Sequence, residues 1–506
     1  MIEHLRLGEL WGRIFTGSRN IGSFIAGALT EGRGDPIVLI DPVRETSLAS
    51  FRDAGIELAV QATNSAVRGA AVWQALTAAA RGRVMWAIAA GLRKHHATLA
   101  EMEAIVAGKP IRDTNVEVEK VAEMFEYYAG WCDKLAGDVL PVPTSHLNYV
   151  RREPFGVVLA ITPWNAPLFT AGWNVAPALA AGNAVVLKPS EFTPLTSIVL
   201  ARIACDAGLP ERVLNVIAGN GAVSGDAAIR SSNVRKLCFV GSVNTGRMIA
   251  RLAGELLKPC VLELGGKSAN IVFDDAEMGR AMLGAQAAIF AGAGQSCVAG
   301  SRLFVQRGAY DRFVSEFATA SRRLRIGEPL DAATEIGPLT TQAQFRRVQD
   351  MVDIGTKEGA ELIAGGARPE GFAKGFFFSP TILGGATNAM RVSREEIFGP
   401  VVVAIPFDSE EEAVALANDT SFGLAGGVWT TDIARAHRVA AAVNAGTFWV
   451  NGYRTIHVMS PFGGFKNSGF GRSSGREAML EYTQTKSVWV ETAAAPAKGS
   501  GYAAEG

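Results

Sequence analysis

The residues best suited to chemistry surround Cys297, in a glycine-rich segment that reads FAGAGQSCVAGSR from residue 290 to 302. A helical apolar pattern over 281–290 leads into it, and its glycines let the backbone approach a ligand closely. A thiol in such a loop is a nucleophile if its pKa is lowered or if a base takes its proton. A lone cysteine is more often a small buried hydrophobic residue. The interpretation therefore depends on other parts of the chain.

Two candidate sites follow consecutive predicted strands. Asn165 ends the segment TPWN, and its amide can stabilise an oxyanion, although an asparagine there is also typical of a turn or a helix cap. Lys188 and Glu191 lie in KPSE after the next strand, where they can hold ribose hydroxyls or simply face solvent.

Two more candidates follow later strands. The segment FVGSVNTG (239–246) joins a strand to a helix expected to begin near Thr245, and a helix N-terminus beside glycines can accept a diphosphate. It lacks the GxGxxG spacing, so alone it is a weak dinucleotide signal. Glu263 opens ELGGK at the end of an apolar strand, where burial can raise its pKa and make it a general base. A carboxylate on the surface is the alternative.

These segments need a scaffold, and the hydrophobic pattern predicts one. Short apolar strands alternate with helices, which indicates a doubly wound parallel sheet with ligands at the carboxyl ends of its strands. The predicted strands are 156–161, 184–188, 213–219, 236–241 and 260–266. The alternation repeats less tightly after residue 266, with clear strands at 302–306 and 401–407, and predicts a second α/β domain.

The flanking regions are less regular. The pattern becomes helical from Ala66, and an apolar ladder at every fourth position from Leu76 to Leu92 predicts one long helix. Two more helices are expected over 97–107 and 114–135. Near the C-terminus KSVWVE (486–491) is an isolated strand, and we expect the tail over 496–506 to be flexible.

Composition excludes several classes of function. The chain has 506 residues, 48% of them hydrophobic, a net charge of zero and a pI near 7.0, so neither nucleic acid nor an anionic membrane surface is favoured as a partner. No apolar run is long enough to span a membrane, and MIEHLRLGEL is too charged for a signal peptide. Five scattered cysteines without CxxC predict free thiols and a cytoplasmic location, and the six histidines have no metal-site spacing.

Taken together, these segments resemble the aldehyde dehydrogenase superfamily. The matching strings are PWN, KPSE, FVGSVNTG, ELGGK, GQSCVAGSR, EEIFGP, NDTSFGLAGGVWT and PFGGFKNSGFGR, in this order, and the match extends from about residue 37 to 491. The pair ELGGK and GQSC, with Glu263 and Cys297 34 positions apart, is highly specific.

The resemblance implies roles for individual residues. Cys297 is the nucleophile, Glu263 the general base, and the Asn165 side chain forms an oxyanion hole with the Cys297 backbone N–H. The implied cofactor is NAD, with NADP as the alternative. The implied cofactor contacts are Ile161, Thr162, Pro163, Trp164, Lys188, Ser190, Glu191, Gly221, Phe239, Gly241, Ser242, Gly246, Leu264, Gly265, Glu396 and Phe398. The Glu191 charge would repel a 2′-phosphate, so we predict a preference for NAD.

The chain departs from the family pattern at two positions. Many relatives have a lysine after the tryptophan of the helix that follows PWN, where this chain has Asn174. Many also carry GRE late in the chain, where this chain has Ser473 after Gly471 and Arg472. That lysine and glutamate are often proposed as a proton path to solvent, so any such path differs here.

The substrate is a small-molecule aldehyde by resemblance, and the residues expected to line its tunnel are Phe169, Trp173, Phe290, Met459 and Phe462. Apolar, aromatic walls favour uncharged aliphatic or aromatic aldehydes, since an acid semialdehyde needs an arginine for its carboxylate. Arg454 is the residue that would change this prediction. The alternatives are a semialdehyde dehydrogenase, a CoA-acylating relative, which usually lacks the Glu263 base, and a non-catalytic binding protein on the same scaffold.

The resemblance also predicts how the chain is divided. We expect an NAD-binding domain over 1–136 and 152–265, a catalytic domain over 266–462, and bridging segments over 137–151 and 463–495. The predicted fold class is α/β, with two doubly wound domains and a small bridging sheet. Because a lone apolar strand needs a partner, the strand at 486–491 favours a homodimer or homotetramer.

Overall fold

The structure is a computed structural model that describes Ile2 and residues 4–494. The predicted flexible tail over 496–506 lies outside these described residues. Within them, no helix has the length and apolar character needed to cross a membrane. The same part of the chain contains no group of three or more His, Cys, Asp or Glu side chains arranged to hold a metal ion.

The described residues form sixteen α-helices, numbered here in chain order. They are α1 Leu5–Ile14, α2 Gly55–Ala75, α3 Ala78–Lys94, α4 His96–Ala107, α5 Ile111–Ala129, α6 Pro167–Ala180, α7 Leu195–Asp206, α8 Asp226–Arg230, α9 Val243–Glu255, α10 Met278–Phe290, α11 Arg307–Ser321, α12 Gln342–Lys357, α13 Arg391–Arg394, α14 Glu410–Asn418, α15 Ile433–Ala442 and α16 Gly475–Glu481.

Twenty strands are numbered in the same way. They are β1 Ser23–Ile25, β2 Ala28–Thr30, β3 Pro36–Ile40, β4 Ser47–Arg52, β5 Val139–Leu140, β6 His146–Pro154, β7 Val157–Ile161, β8 Ala184–Lys188, β9 Leu214–Val216, β10 Lys236–Val240, β11 Cys260–Glu263, β12 Ala269–Val272, β13 Arg302–Gln306, β14 Glu361–Ala364, β15 Thr381–Gly384, β16 Val401–Phe407, β17 Ala425–Trp429, β18 Thr447–Val450, β19 Gly469–Phe470 and β20 Thr483–Glu491.

The first large sheet carries most of the predicted site segments. Its strand order is β19-β11-β10-β7-β8-β9-β1-β2, with a parallel centre and antiparallel strands at both edges. The strands β7, β8, β10 and β11 end at TPWN, KPSE, GSVNTG and ELGGK. Because parallel neighbours share an edge, their carboxyl ends bring these four segments together.

The second large sheet has the order β14-β15-β16-β13-β12-β17-β18 and is parallel except for its edge strand β14. The strands β12, β13 and β16 are almost fully buried, which explains their continuous apolar sequences. The Cys297 loop lies between α10 and β13, at the carboxyl end of the helix. The predicted α/β class with two doubly wound sheets is therefore confirmed.

A third, antiparallel sheet contains β20, β6 and β5. The isolated strand predicted at 486–491 is part of β20, and all nine residues of β20 pair with β6. The predicted domain boundary at 151 falls inside β6, which continues to Pro154. The predicted bridging segment 463–495 also contains β19, which pairs with β11 in the first sheet.

The N-terminal predictions were wrong in two respects. The helix expected over 114–135 is α5, which ends at Ala129. The long helix expected from Ala66 onward is two helices, because α2 starts earlier, at Gly55, and the chain turns extended at Leu76. The Thr77 side chain then accepts a hydrogen bond from the Ala80 N–H and caps α3. The helical pattern that starts at Ala66 leads directly into the ladder that starts at Leu76, so periodicity alone does not reveal the break.

Candidate active site

The Cys297 loop has an unusual backbone that its neighbours hold in place. After α10 the chain forms a tight turn over Ala291–Gly294, in which Ala293 has a left-handed φ of 54°. At Gly294, where φ is 71°, an added Cβ would lie 2.0 Å from the Gly399 carbonyl oxygen. Only glycine fits there, because it combines a positive φ with contact against backbone. The turn is thus fixed against the loop that contains EEIFGP.

Gln295 secures the same loop from within. Its Nε2 donates to the Gly292 carbonyl at 3.2 Å, and its Oε1 accepts from the Thr340 N–H at 2.9 Å. Sequence reasoning missed this role. A buried amide that satisfies two backbone groups restricts the loop next to Cys297.

Asn165 joins this loop to the first sheet. From just beyond the carboxyl end of β7, its Nδ2 donates to the Gln295 carbonyl at 2.8 Å, two residues before Cys297. On the other side an added Cβ at Gly266 would lie 2.2 Å from the Cys297 carbonyl oxygen. The segments PWN, ELGGK and GQSC, far apart in sequence, therefore meet at one point.

Glu263 is a buried carboxyl group at the end of β11. Only 6% of the residue is exposed, and its Oε1 has no hydrogen-bond partner among the described residues. Burial raises the pKa of Glu263 to about 8, and the Trp173 side chain and the Arg472 charge oppose this shift only in part. Glu263 is therefore largely protonated at neutral pH and ionises in the mildly alkaline range.

The Cys297 thiol is protonated in the unliganded site. Burial, together with the carboxyl groups of Glu263 and Glu396, raises its pKa to about 12, and the Arg454 charge opposes this shift in part. A nearby base or a bound ligand must therefore assist the loss of its proton before it attacks a carbonyl.

The FVGSVNTG segment forms a helix N-terminus, but two residues earlier than expected. The helix α9 begins at Val243, and the Ser242 side chain caps it by accepting from the Thr245 N–H at 3.3 Å. An added Cβ at Gly246 would lie 2.5 Å from a methyl carbon of Leu264, and one at Gly241 would lie 2.5 Å from the Phe239 ring. These two glycines are thus needed for packing, whatever ligand the helix end receives.

The KPSE segment lies beside the end of β9. Lys188 is 2% exposed, and its Nζ lies 3.4 Å from a Glu191 carboxylate oxygen. Burial lowers the pKa of this amine. Gly221 follows β9, and an added Cβ there would lie 3.9 Å from the Lys188 Nζ. Ser190, also buried, accepts a hydrogen bond from the Phe192 N–H at 3.4 Å. Lys188 therefore keeps donor capacity for a ligand hydroxyl.

The neighbouring TPWN backbone extends this surface. The Thr162 N–H donates to the Lys188 carbonyl at 3.1 Å, continuing the pairing in which Ile161 lies opposite Lys188. Pro163 and Trp164 follow directly, and the Trp164 carbonyl accepts from the Thr193 hydroxyl at 3.2 Å. The ends of β7 and β8 are therefore tied together.

Residues of the EEIFGP loop complete the constellation. The Glu396 Oε1 accepts from the Gly266 N–H at 2.9 Å, and an added Cβ at Gly265 would lie 2.3 Å from its Oε2. Burial raises the pKa of Glu396 to about 7. Phe398, with a left-handed φ of 61°, packs edge-on against Trp164 with ring centres 5.4 Å apart. The two large sheets thus both contribute to the predicted cofactor surface.

Three of the five proposed tunnel residues lie together. Phe169 stacks on Trp173 at 5.2 Å, and Trp173 meets Phe462 edge-on at 5.8 Å. Phe290 has a different environment, since it is 2% exposed and stacks on a helix side chain in the core. It therefore fills the interior and offers little surface to a ligand, which corrects the prediction for this residue. Met459 is 62% exposed.

Asn174, which this chain has where many relatives have lysine, belongs to a hydrogen-bond network of uncharged groups. The Tyr482 hydroxyl donates to Asn174 Oδ1 at 3.2 Å, and Asn174 Nδ2 donates to the Thr170 carbonyl at 2.9 Å. Ser473 is 3% exposed, and its hydroxyl has no partner among the described residues. Sequence reasoning did not identify Tyr482, because nothing in its local pattern indicates contact with α6.

Comparisons with known proteins agree with this geometry. A family model described as the aldehyde dehydrogenase family matches residues 29–488. A betaine aldehyde dehydrogenase of Bacillus subtilis is 42% identical over 460 residues, covering 90% of this chain and 94% of the relative. The putative aldehyde dehydrogenase DhaS of the same organism is 41% identical over 445 residues, covering 88% and 89%.

Solved structures give the same result. The structure of a putative aldehyde dehydrogenase from Burkholderia cenocepacia superposes with a TM-score of 0.92 at 42% identity, covering 94% of this chain and 98% of the other. The complex of PnpE with nicotinamide adenine dinucleotide gives a TM-score of 0.93 at 41% identity, covering 94% and 99%. PnpE itself is from Pseudomonas sp. WBC-3.

Proposed function

Because this chain belongs to the aldehyde dehydrogenase family, we propose that it oxidises a small aldehyde to a carboxylic acid with NAD. The observation that carries the proposal is that the Asn165 amide bonds to the Cys297 loop, while the buried Glu263 carboxyl group is close enough for its charge to act on the Cys297 thiol. A nucleophile, an amide donor and a buried carboxyl group are what acyl chemistry on a thiol requires.

Each proton and charge in the reaction has an acceptor or a partner. The Cys297 thiol loses its proton to solvent water and its sulfur adds to the aldehyde carbon, while the carbonyl oxygen receives hydrogen bonds from the Asn165 amide and the Cys297 backbone N–H. Bound NAD would supply the acceptor for the hydride that leaves this carbon. Glu263 then takes a proton from water as the water attacks the thioester, which releases the acid and restores the thiol.

The residues at the predicted cofactor surface fit a dinucleotide. Lys188 is a buried amine, and its contact with Glu191 is long, at 3.4 Å. Both side chains can therefore form further hydrogen bonds with ribose hydroxyls. The capped N-terminus of α9 faces solvent beside Gly241, where a diphosphate can receive backbone N–H groups. Glu396 and Phe398 would hold the nicotinamide end.

The bridging sheet supports self-association. The central strand β6 exposes Leu147 at 45%, and the edge strand β20 exposes Trp489 and Val490 at 55% and 42%. Exposed apolar residues of this kind need cover. We assign 1–136 and 152–265 to cofactor binding, 266–462 to catalysis, and the remaining segments to bridging between subunits of a dimer or tetramer. Light scattering on the purified protein should give a mass of at least twice 53.4 kDa.

A direct assay tests the proposed reaction. Purified enzyme with NAD and an aldehyde panel should form NADH and the matching acid without CoA. Dependence on CoA with an acyl-CoA product would instead indicate the acylating alternative. No NADH with any aldehyde, together with an unmodified Cys297, would support the non-catalytic alternative and contradict the proposal.

A further inference from the structure

Arg454 lies in the same site, on a loop that packs around the cysteine loop. Its Nη1 donates to the Ala291 carbonyl at 3.2 Å, six residues before Cys297. The neighbouring Tyr453 packs on the other side, where an added Cβ at Gly300 would lie 3.2 Å from its hydroxyl. The guanidinium is close enough to Cys297 for its charge to lower the pKa of the thiol.

The Arg454 charge has no counter-charge of its own. Among the described residues no carboxylate oxygen lies within 4.0 Å of the guanidinium, and the bond to Ala291 is the only one its nitrogens make. Its other nitrogens are not enclosed by protein, since none of them is among the fully buried polar atoms that lack a partner. Burial lowers the pKa of Arg454, so its surroundings are largely protein. A largely buried guanidinium that keeps unpaired donors can receive an anion.

The nearest acidic side chains do not fill this role, because each has another cation. Asp113 lies 3.4 Å from Arg112, and Glu117 forms an ion pair with Lys109. Both carboxylates act on Arg454 only at longer range. The positive charge beside Cys297 therefore remains uncompensated.

The backbone of Arg454 is also strained. Its φ is 65°, in the left-handed region that a long side chain rarely adopts. Such a conformation persists where the surroundings impose it, and it is typical of binding sites. In this conformation the Arg454 side chain lies against the Ala291 carbonyl of the cysteine loop.

Resting on the proposed function, we infer that Arg454 recognises a carboxylate on the substrate, so that the natural aldehyde is an acid semialdehyde. A guanidinium binds a carboxylate through two parallel hydrogen bonds, whereas it repels a cation such as betaine aldehyde. The curated relatives named betaine aldehyde dehydrogenases would then differ from this chain in substrate charge. The inference replaces the expectation of an uncharged substrate, which assumed that no arginine faced the site.

Matched substrates measure the effect directly. We would compare kcat/KM for four-, five- and six-carbon ω-carboxyaldehydes, for their uncharged methyl esters and for betaine aldehyde, all with saturating NAD. The wild-type enzyme should prefer at least one acid over its ester by about 10-fold or more. Betaine aldehyde should be a poorer substrate than that acid. A preference for the esters or for betaine aldehyde across the whole panel would overturn the inference.

Variants identify the residue responsible. Arg454→Gln should lower kcat/KM for the preferred acid by roughly 10- to 100-fold. It should change kcat/KM for the methyl ester of that acid by only a few fold. For Arg454→Lys, kcat/KM for the acid should lie between the values of the wild type and Arg454→Gln, because an ammonium cannot form the two parallel hydrogen bonds of a guanidinium. Arg112→Gln removes a nearby exposed charge and should keep the wild-type preference.

The ratio of kcat/KM for the acid to kcat/KM for its ester distinguishes recognition of the substrate carboxylate from activation of the Cys297 thiol. Equal losses on acid and ester in Arg454→Gln would assign Arg454 to Cys297 activation and contradict the inference. If that variant does not fold, the wild-type ratio and Arg454→Lys still decide. Failure of the proposed function gives a different result, namely no NADH from any acid, ester or cation.

Discussion

Replacing Glu263 by Gln keeps the shape of the buried side chain but removes its ability to take a proton. With a pKa of about 8, about a tenth of the Glu263 carboxyl groups are ionised at pH 7 and about nine-tenths at pH 9. If hydrolysis of the thioester limits turnover, the wild-type steady-state rate should therefore rise roughly 10-fold between these two pH values. The rate rises with pH because only the ionised form of Glu263 can accept a proton from water.

In Glu263→Gln the steady-state rate at pH 9 should fall by about 10²–10⁴, the usual contribution of a general base. The rise between pH 7 and 9 should disappear. Hydride transfer precedes hydrolysis, so the variant should still release one equivalent of NADH per active site in a rapid burst. Stopped-flow absorbance at the NADH band, with saturating aldehyde, measures the burst and the slow phase together.

A second buried glutamate provides the matched control. Burial raises the pKa of Glu103 to about 7, but this carboxyl accepts from the Leu168 N–H, and its charge is not among those that shift the pKa of Cys297. Glu103→Gln should therefore keep the wild-type pH profile. A Glu263→Gln enzyme with the wild-type rate and pH dependence would refute the reasoning. Loss of the burst would instead place Glu263 in activation of the thiol.

Other substitutions test neighbouring parts of the site. Asn165→Ala should slow the burst itself by roughly 10²–10³, the cost of one oxyanion donor, in the same stopped-flow assay. A burst at the wild-type rate would exclude that role. Glu191→Gln should raise kcat/KM with NADP relative to NAD, since it removes a charge that repels the 2′-phosphate; wild-type preference for NADP would contradict this. Gly294→Ala should lower the thermal midpoint, because its Cβ would lie 2.0 Å from the Gly399 oxygen and its φ is positive, a strain of about 1–3 kcal/mol. An unchanged midpoint would count against the rigid turn.

The strands that carry the site can be predicted from the sequence, because buried strands consist of apolar residues. The predicted strands at 184–188 and 302–306 have the observed bounds, since parallel strands buried on both faces read as continuous apolar runs. The break between α2 and α3 is not evident from the sequence, because the helical pattern from Ala66 leads directly into the ladder that starts at Leu76, on either side of a single capping threonine.

Contacts between distant segments required the folded chain. Local pattern does not reveal that the Asn165 amide reaches the Gln295 carbonyl, 130 positions away. The position of Phe290 next to the cysteine loop predicts a place in the tunnel, but its ring stacks on Phe317 in the core. Arg454 was noticed in the sequence, yet its lack of a counter-charge is a property of the tertiary structure alone.

The central claim is that Cys297 carries the acyl group during turnover. Glu263→Gln enzyme mixed with NAD and aldehyde, quenched in acid within the burst and digested, should give a Cys297 peptide heavier by the acyl group. The peptides with Cys238 and Cys260 should be unchanged, and Cys297→Ala should give no burst and no labelled peptide. An acyl group on another cysteine, or a full burst in Cys297→Ala, would contradict the account.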